Sequence, residues 1–389
     1  MRTLHTLHTE TDGAIGIIVA LSLVVLAGFS AFAVDLGYLH MKKSELQTAA
    51  DNAVLAGAVA LLSDRGDEVA IRNVVLDYAR SNLSALDKPA AAVGNDDVAL
   101  MTTGTLGTDP DTVEVTIRRT RDRSNPVSLF FGRILGTDDA ELIVTARAAL
   151  APVCTSQCVK PFIVPTKFSW DDSASSDPKE RDNGELDVAS PEEMGSIQVQ
   201  GYDNSDIGTQ ITLKYGDPGS TMVPGQFSPV DFPPLNKGVP ITGAAEYKAN
   251  LGGCEGSNRV LVELGDELYL EPGNMVGPTS SGLSTLMAED PFAHWDEDTK
   301  SVQDSSYADP LSSPRVAVIA FFDPRYPPIS GRNSLLVNQL GAVFIEGEGS
   351  TNGSIKARFM NTVARSPKPA EGECLIYLPR LVLDSSRGA

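Results

Sequence analysis

The chain has 389 residues, 42% of them hydrophobic, enough for two or three domains with real cores. Its net charge of −20 and pI near 4.6 make nucleic acid a poor partner and argue against adhesion to bare anionic lipid. The first element is an apolar run from Gly13 to Val34 that carries no charged side chain. As a helix it reaches roughly 33 Å, enough to cross a hydrocarbon core of about 30 Å. The leader before it, residues 1–12, has only Arg2 against Glu10 and Asp12. A cleaved secretory signal has instead a basic leader and a shorter apolar core. After Asp35 the pattern continues at spacings of three and four through Leu36, Leu39, Lys43, Leu46, Ala50, Ala53, Gly57 and Leu61. All but Lys43 are apolar or small, so the spacing predicts one long helix, half in a membrane and half under a soluble domain. Arg2 lies on one side of the run and Lys42 and Lys43 on the other, so charge alone leaves the orientation open.

Ser63-Asp64-Arg65-Gly66-Asp67 breaks the helix. It contains the Arg-Gly-Asp tripeptide that integrins read, but a helix-capping role for Asp64 or Asp67 accounts for it plainly. A second helix is expected over Asp67 to Leu86, and a linker over Pro89 to Asn95. Val98 to Thr103 and Thr112 to Arg118 read as strands. In the second, Val113, Val115 and Ile117 alternate with polar residues, the period of a half-buried strand. Val127 to Leu135 reads as a short apolar helix ended at Gly136, and Leu142 to Ala149 as a returning strand.

Pro152 to Pro165 marks a boundary, and beyond it Gly and Pro become frequent. Short strands are expected at Phe162 to Val164, Ile197 to Gln200, Gln210 to Lys214, Arg259 to Leu264, Leu268 to Leu270, Ala317 to Phe322, Leu335 to Ile345 and Cys374 to Leu383. Turn signals at Gly216-Asp217-Pro218-Gly219 and Glu271-Pro272-Gly273-Asn274 separate them, and Ser281 to Ala288 reads as a helix. This texture points to a β-sandwich or jelly-roll-like domain.

The N-terminal segment closely resembles the TadE/TadG-like module of the Tad (Flp) pilus-assembly proteins. The shared words are Ala33-Val34-Asp35-Leu36-Gly37, Leu46-Gln47, Ala49-Ala50-Asp51 and Ala56-Gly57-Ala58. The resemblance is strong over about 50 residues, compatible over the next hundred, and much less clear beyond. It implies a bacterial inner-membrane protein, single-pass, with its bulk in the periplasm or at the cell surface. The pilin-like plan of the family, a long transmembrane helix and then an α+β region over 35–152, together with the strand-rich texture of residues 153–389, gives an α+β fold ending in a β-rich extracytoplasmic domain. One departure from true pilins stands out. Prepilin peptidase cuts after a Gly and leaves Glu at the fifth position, but a cut at Gly13-Ala14 would leave Ile18 there. A carboxylate in lipid is costly and is kept for registering subunits. Its absence argues for an uncleaved anchor or a minor pilin-like component.

Four cysteines, Cys154, Cys158, Cys254 and Cys374, suit two disulfides in an oxidising compartment, with three possible connectivities. Zinc and free buried thiols are the alternatives. Asp171-Asp172-Ser173-Ala174-Ser175 matches the DxSxS pattern of a metal-ion-dependent adhesion site, which some relatives carry in a von Willebrand-type A domain, as the resemblance implies. The carboxylates Asp171, Asp172, Asp177, Asp182 and Asp187 could offer oxygens to Ca²⁺, although the EF-hand register fails and a solvated acidic loop is the default. No other cofactor is expected. Catalysis would depend on His294 beside Trp295, and no GxSxG, HExxH or phosphate-binding Gly loop is present.

Two functions are weighed. The first is a non-enzymatic, membrane-anchored assembly component of a Tad-like pilus or secretion system, possessing an adhesive or docking surface. Its partners are other pilin-like membrane proteins, met through the N-terminal helix. Its positional residues are Asp35, Gly37, Leu46, Gln47, Ala50, Asp51 and Gly57. Asp35 would mark the membrane interface. The small residues would permit close helix approach, or would pack against the chain's own domain. The second is a surface-anchored carbohydrate-binding protein or hydrolase carried by the C-terminal β-domain.

Overall fold

The computed structural model describes residues 11–64, 66–83, 89–179, 181–216, 228–233, 236–328, 333–349, 353–364 and 374–382. It opens with one unbroken helix, α1, Thr11–Ser63, about 80 Å long at 1.5 Å per residue. The segment holds no proline, and its Ala and Leu content favours the helix throughout. A second helix, α2, Glu68–Asn82, folds back on it and buries Ile71, Val75, Leu76 and Ala79. Asp67 is the residue that caps α2, accepting from the amides of Val69 and Ala70. Arg65 and the end of the expected helix beyond Leu83 lie outside the described residues, as do Asp217, Pro218 and Gly219 of one turn.

Next come β1 (Val98–Met101), β2 (Thr112–Arg119), the short β3 (Val127–Ser128) and β4 (Asp139–Ala140), and the long β5 (Leu142–Pro152). β1, β2 and β5 are antiparallel neighbours, and their inward-facing Val113, Val115, Ile117, Val144, Ala146 and Ala148 meet α1 and α2. Two strands from the far end of the chain complete this sheet: Ile376–Leu381 runs antiparallel beside β5, and Thr362–Val363 lies parallel beside it at the edge.

A second five-stranded sheet carries the β-rich part, ordered Gln210–Lys214, Ile355–Met360, Gln339–Glu348, Val316–Phe322 and Ile163–Pro165. Val316–Phe322 is buried at every position, as a strand covered on both faces must be. Ile319 and Phe321 face two helices, Ala244–Gly252 and Val276–Glu289, through Tyr247, Leu251, Leu283 and Leu286. Val318, Ala320 and Phe322 face Val262, Leu268 and Leu335 of smaller sheets. Phe344 and Met360 join the core under α1, so the two sheets share apolar contacts. The chain is thus a mixed α+β protein, a long helix followed by a β-rich region.

The structure corrects several local expectations. Val127 to Leu135 is not one helix: β3 pairs with β4, and only Gly132–Leu135 makes a turn of 3₁₀-helix. Leu335 to Ile345 is two strands in different sheets, Ser334–Leu336 and Gln339–Glu348, broken at Val337-Asn338. The helix expected at 281–288 is longer, Val276–Glu289, and the helix Ala244–Gly252 was not foreseen. One face of the central sheet therefore carries helices rather than a second sheet.

All four cysteines are bridged, Cys154 to Cys374 and Cys158 to Cys254. The first bridge rivets the end of β5 to the start of the strand Ile376–Leu381. Zinc and free thiols are thereby set aside.

Candidate functional site at the helix–domain junction

α1 divides into two halves of opposite character. From Ile17 to Val34 every described large apolar side chain is between 51% and 70% exposed. Fully exposing such groups to water costs about 1.5–3 kcal/mol each, tens of kcal/mol in sum. The helix is long and apolar enough to cross a membrane. Its polar side chains suit that setting: the Ser22 hydroxyl donates to the Ile18 carbonyl and that of Ser30 to Leu26, each at 2.8 Å.

Asp35 follows immediately and is 6% exposed. Its carboxylate is clamped by backbone amides near the tip of the hairpin between β2 and β5. Oδ1 accepts from Phe130 N at 2.8 Å, and Oδ2 accepts from Phe131 N at 3.0 Å and Gly132 N at 2.7 Å. These amides open the 3₁₀ turn Gly132–Leu135, where unpaired N–H groups favour a negative partner. Gly136 ends that turn at φ +82°, a left-handed conformation suited to glycine. Gly132 is required for a different reason: a Cβ there would lie 2.5 Å from the Thr137 carbonyl oxygen and 2.6 Å from Leu129 Cδ1. One turn along α1, Tyr38 meets Phe130 edge-on at 4.9 Å, and the Lys42 ammonium sits 5.6 Å from the Tyr38 ring centre.

The root of the same hairpin is also held by a carboxylate. Arg123 grips Asp97 with both guanidinium nitrogens, and Arg118 Nε donates to Asp97 Oδ1 at 2.9 Å. Burial alone would raise the Asp97 pKa, but the hydrogen bonds from Arg123, Gly94 and Arg118 outweigh it and hold it below the ordinary value.

The remaining positional residues lie higher on α1. Leu46 and Ala50 are buried in the core under the sheet. Gln47 Nε2 donates to Asp51 Oδ1 at 2.9 Å and reaches the Thr145 carbonyl of β5 at 3.4 Å. Gly57 is packed so closely that a Cβ would lie 2.5 Å from Val75 Cγ2 and 3.2 Å from Val113 Cγ1. Gly37 differs: it is exposed, and a Cβ there would meet nothing within 4 Å. The structure thus brings Leu46, Gln47, Ala50, Asp51 and Gly57 together against the chain's own domain, and leaves Gly37 open. Sequence reading missed the partner of Asp35. The available signal was the segment Phe131-Gly132-Arg133-Ile134-Leu135-Gly136, two glycines framing one apolar turn.

The acidic loop is occupied by its own backbone. Asp171 accepts from Ser173 N, Asp172 from Gly184 N, Asp177 from Lys179 N and Asp187 from Ala189 N. Among the described residues, no group of three or more His, Cys, Asp or Glu could hold a metal ion. The strand before Asp171 is the two-residue Phe168–Ser169, antiparallel to Gln198–Val199, and a single 3₁₀ turn follows. An adhesion-type metal loop needs a buried parallel strand and a full helix there. His294 is exposed, with Nδ1 3.6 Å from Asp304. Lys214 is fully buried in the β-rich part, donating to Gly353 O at 2.8 Å, Asn274 Oδ1 at 2.9 Å and Tyr215 O at 3.3 Å. Burial pushes its pKa down to about 8.

The family model described as Flp pilus-assembly TadE/G-like (Tad) matches residues 13–60. No curated protein and no solved structure matches the chain. The matched stretch runs from the first residue of the apolar run almost to the end of α1. It takes in Asp35, Gly37, Leu46, Gln47, Ala50, Asp51 and Gly57. The N-terminal module is therefore TadE/G-like.

Proposed function

We propose that this chain is a membrane-anchored, non-enzymatic structural component of a Tad (Flp) pilus or a related secretion system. The observation that carries the reading is the division of α1. The TadE/G-like module coincides with a helix whose first half is exposed among the described residues and whose second half is built into its own domain. A single-pass anchor is the simplest use of such a helix, and its Gly16, Ala20, Ala27, Gly28 and Ala31 suit close approach by helices of other pilus-assembly proteins. Gly37, open just beyond the membrane, extends that contact surface. Two disulfides fit a bulk held in the periplasm or at the cell surface of a bacterium, anchored in the inner membrane. Ile18 in place of a pilin glutamate supports an uncleaved anchor or a minor pilin-like subunit.

The test is a deletion strain complemented with the natural chain or with Gly37→Leu. The deletion abolishes piliation, and Gly37→Leu lowers it while the chain still accumulates in the membrane. Undiminished piliation in the deletion strain overturns the reading. Amino-terminal sequencing of membrane-extracted protein separates anchor from processed subunit: a chain starting at Ala14 makes it a processed pilin.

A further inference from the structure

The loop that clamps Asp35 carries apolar side chains which the fold leaves uncovered. Phe130 is 62% exposed, Phe131 40% and Ile134 80%. A soluble domain gains nothing from showing two phenylalanines and an isoleucine on one turn. Their position gives the reason. Asp35 is the residue directly after the apolar run, and the backbone of Phe130, Phe131 and Gly132 lies within hydrogen-bond distance of its carboxylate. The headgroup layer outside the hydrocarbon is about 5–7 Å thick on each side. A loop tied to Asp35 therefore lies within that layer whenever residues 13–34 span the bilayer.

We propose that the Phe130–Ile134 loop is a second membrane contact, inserting Phe130, Phe131 and Ile134 into the interfacial layer of the leaflet from which α1 emerges. The occupant is lipid, because the patch is continuous with the exposed apolar belt of α1 that ends at Phe32, Val34 and Leu36. The edge-on pair of Tyr38 and Phe130 sits where aromatic side chains gather at membrane boundaries. Arg133, exposed on the same turn, stands 3.9 Å from the Asp138 carboxylate, so the pair adds no net charge at headgroup depth. The contact needs no basic patch, so it is compatible with the strongly acidic chain. It gives the continuous helix α1 a second point of mounting: the span fixes position, and the loop steadies the tilt of the domain over the bilayer.

The proposal rests on the reading of residues 13–34 as a span, and the experiment separates the two. The full chain is placed in nanodiscs of phosphatidylethanolamine and phosphatidylglycerol, with and without bromine on the acyl chains. Single tryptophans are introduced as Phe130→Trp, Ile134→Trp, Leu21→Trp and Phe292→Trp. The signal of the native Trp170 and Trp295, measured in the unsubstituted chain, is subtracted. Phe292 is 74% exposed in the β-rich part and reports an aqueous position. Because Phe130 and Ile134 are already exposed, their replacement leaves the core intact, and far-ultraviolet circular dichroism verifies it. The expected result is at least a two-fold loss of the added fluorescence at 130 and 134 with shallow bromines, strong quenching at 21 with deep ones, and none at 292. Quenching at 21 with 130 and 134 as bright as 292 overturns the proposal and leaves the span standing. Loss of quenching at 21 overturns both. A Phe130 photocrosslinker that captures a second copy of the chain instead of lipid overturns the assignment of the occupant.

Discussion

The amide of Gly132 lies 2.7 Å from Asp35 Oδ2, although 97 residues separate the two. The contact joins the point where α1 leaves its apolar run to the tip of the longest hairpin of the first sheet. Asp35 replaces water for three amides at once, and in return it is shielded from the solvent by the loop it organises.

Replacing Asp35 by Ala leaves the amides of Phe130, Phe131 and Gly132 without their acceptor. Each stranded donor is worth about 1–3 kcal/mol when buried, and water recovers part of it near the surface. A net loss of about 2–3 kcal/mol is expected in thermal or denaturant unfolding of the detergent-solubilised chain. Hydrogen exchange at residues 130–132 should rise by at least ten-fold while exchange in β2 and β5 stays unchanged. Unaltered protection at 130–132 would show that the carboxylate is not what orders the loop.

Three glycines of the matched and clamped segments should respond differently to a methyl group. At Gly57 and Gly132 the added Cβ would lie within 2.6 Å of atoms already in place, so Gly57→Ala and Gly132→Ala should each destabilise by about 1–3 kcal/mol. At Gly37 the space is open and the residue lies inside α1, so Gly37→Ala should not destabilise and should raise stability by up to about 1 kcal/mol through helix propensity. Equal shifts for Gly37 and Gly57 would contradict the packing of α1 described above.

The two disulfides should dominate tolerance to reduction. Cys154–Cys374 spans 220 residues and Cys158–Cys254 spans 96. Chain-entropy reasoning assigns such loops about 4–5 kcal/mol each as an upper range. Alkylation without reduction should modify no thiol, and mass spectrometry of the digest should recover these two pairs. Cys154→Ser with Cys374→Ser should lower the melting temperature by several degrees, and a bridge between Cys154 and Cys158 would refute the pairing.

Lys214 predicts an alkaline gain in stability. Its amine titrates near 10.4 in an unfolded chain and near 8 in the folded one, because burial disfavours the charged form. Between those values the unfolded state binds the extra proton, so this group's contribution to stability rises with pH through the window and is a penalty below it. The unfolding free energy of the natural chain relative to Lys214→Met should therefore grow from pH 7 to pH 9.5. A difference independent of pH would show that the ammonium is not desolvated.

The acidic side carries the opposite sign. Asp97 is held below its ordinary pKa despite burial by Arg123, Gly94 and Arg118, so it stabilises the fold above its unfolded value and that contribution fades as pH falls through the folded one. Asp97→Asn should weaken the chain at pH 7 and matter progressively less on acidification below pH 4. A constant deficit down to pH 2 would exclude the charge as the cause.

The parts legible in the sequence are those whose order is local. α1 shows in its three-and-four spacing, and β2 in the alternation of Val113, Val115 and Ile117. The N-cap of α2 shows in Asp67. Val316–Phe322 reads as a strand because burial on both faces makes it a continuous apolar run. The helix Ala244–Gly252 stayed hidden because only Tyr247 and Leu251 are large apolar residues on its buried side, which Asn250 interrupts, and its burial comes from the neighbouring helix. The clamp stayed hidden for a deeper reason. Asp35 is recognised by main-chain amides, which almost every residue possesses, so Gly132 and Gly136 signal a tight turn but not the carboxylate it meets. The open side of Gly37 and the closed one of Gly57 are likewise indistinguishable until Val75 and Val113 are placed in space.

The strand Ile376–Leu381 has one more consequence. It occupies an interior position in the first sheet, between β5 and the edge strand Thr362–Val363, yet about 220 residues of chain lie between it and the end of β5. During synthesis α1 and β1, β2 and β5 emerge early, and β5 waits with its outer rim of amides and carbonyls unpaired until the strand Ile376–Leu381 arrives. Such a rim is a template for pairing with any passing strand. A product stalled before that strand would thus present a sticky edge, whereas one that includes it is sealed by the strand and locked by the bond from Cys154 to Cys374. The architecture makes synthesis through residue 381 a condition for a closed sheet, so that chains stalled before it are set apart by an open edge.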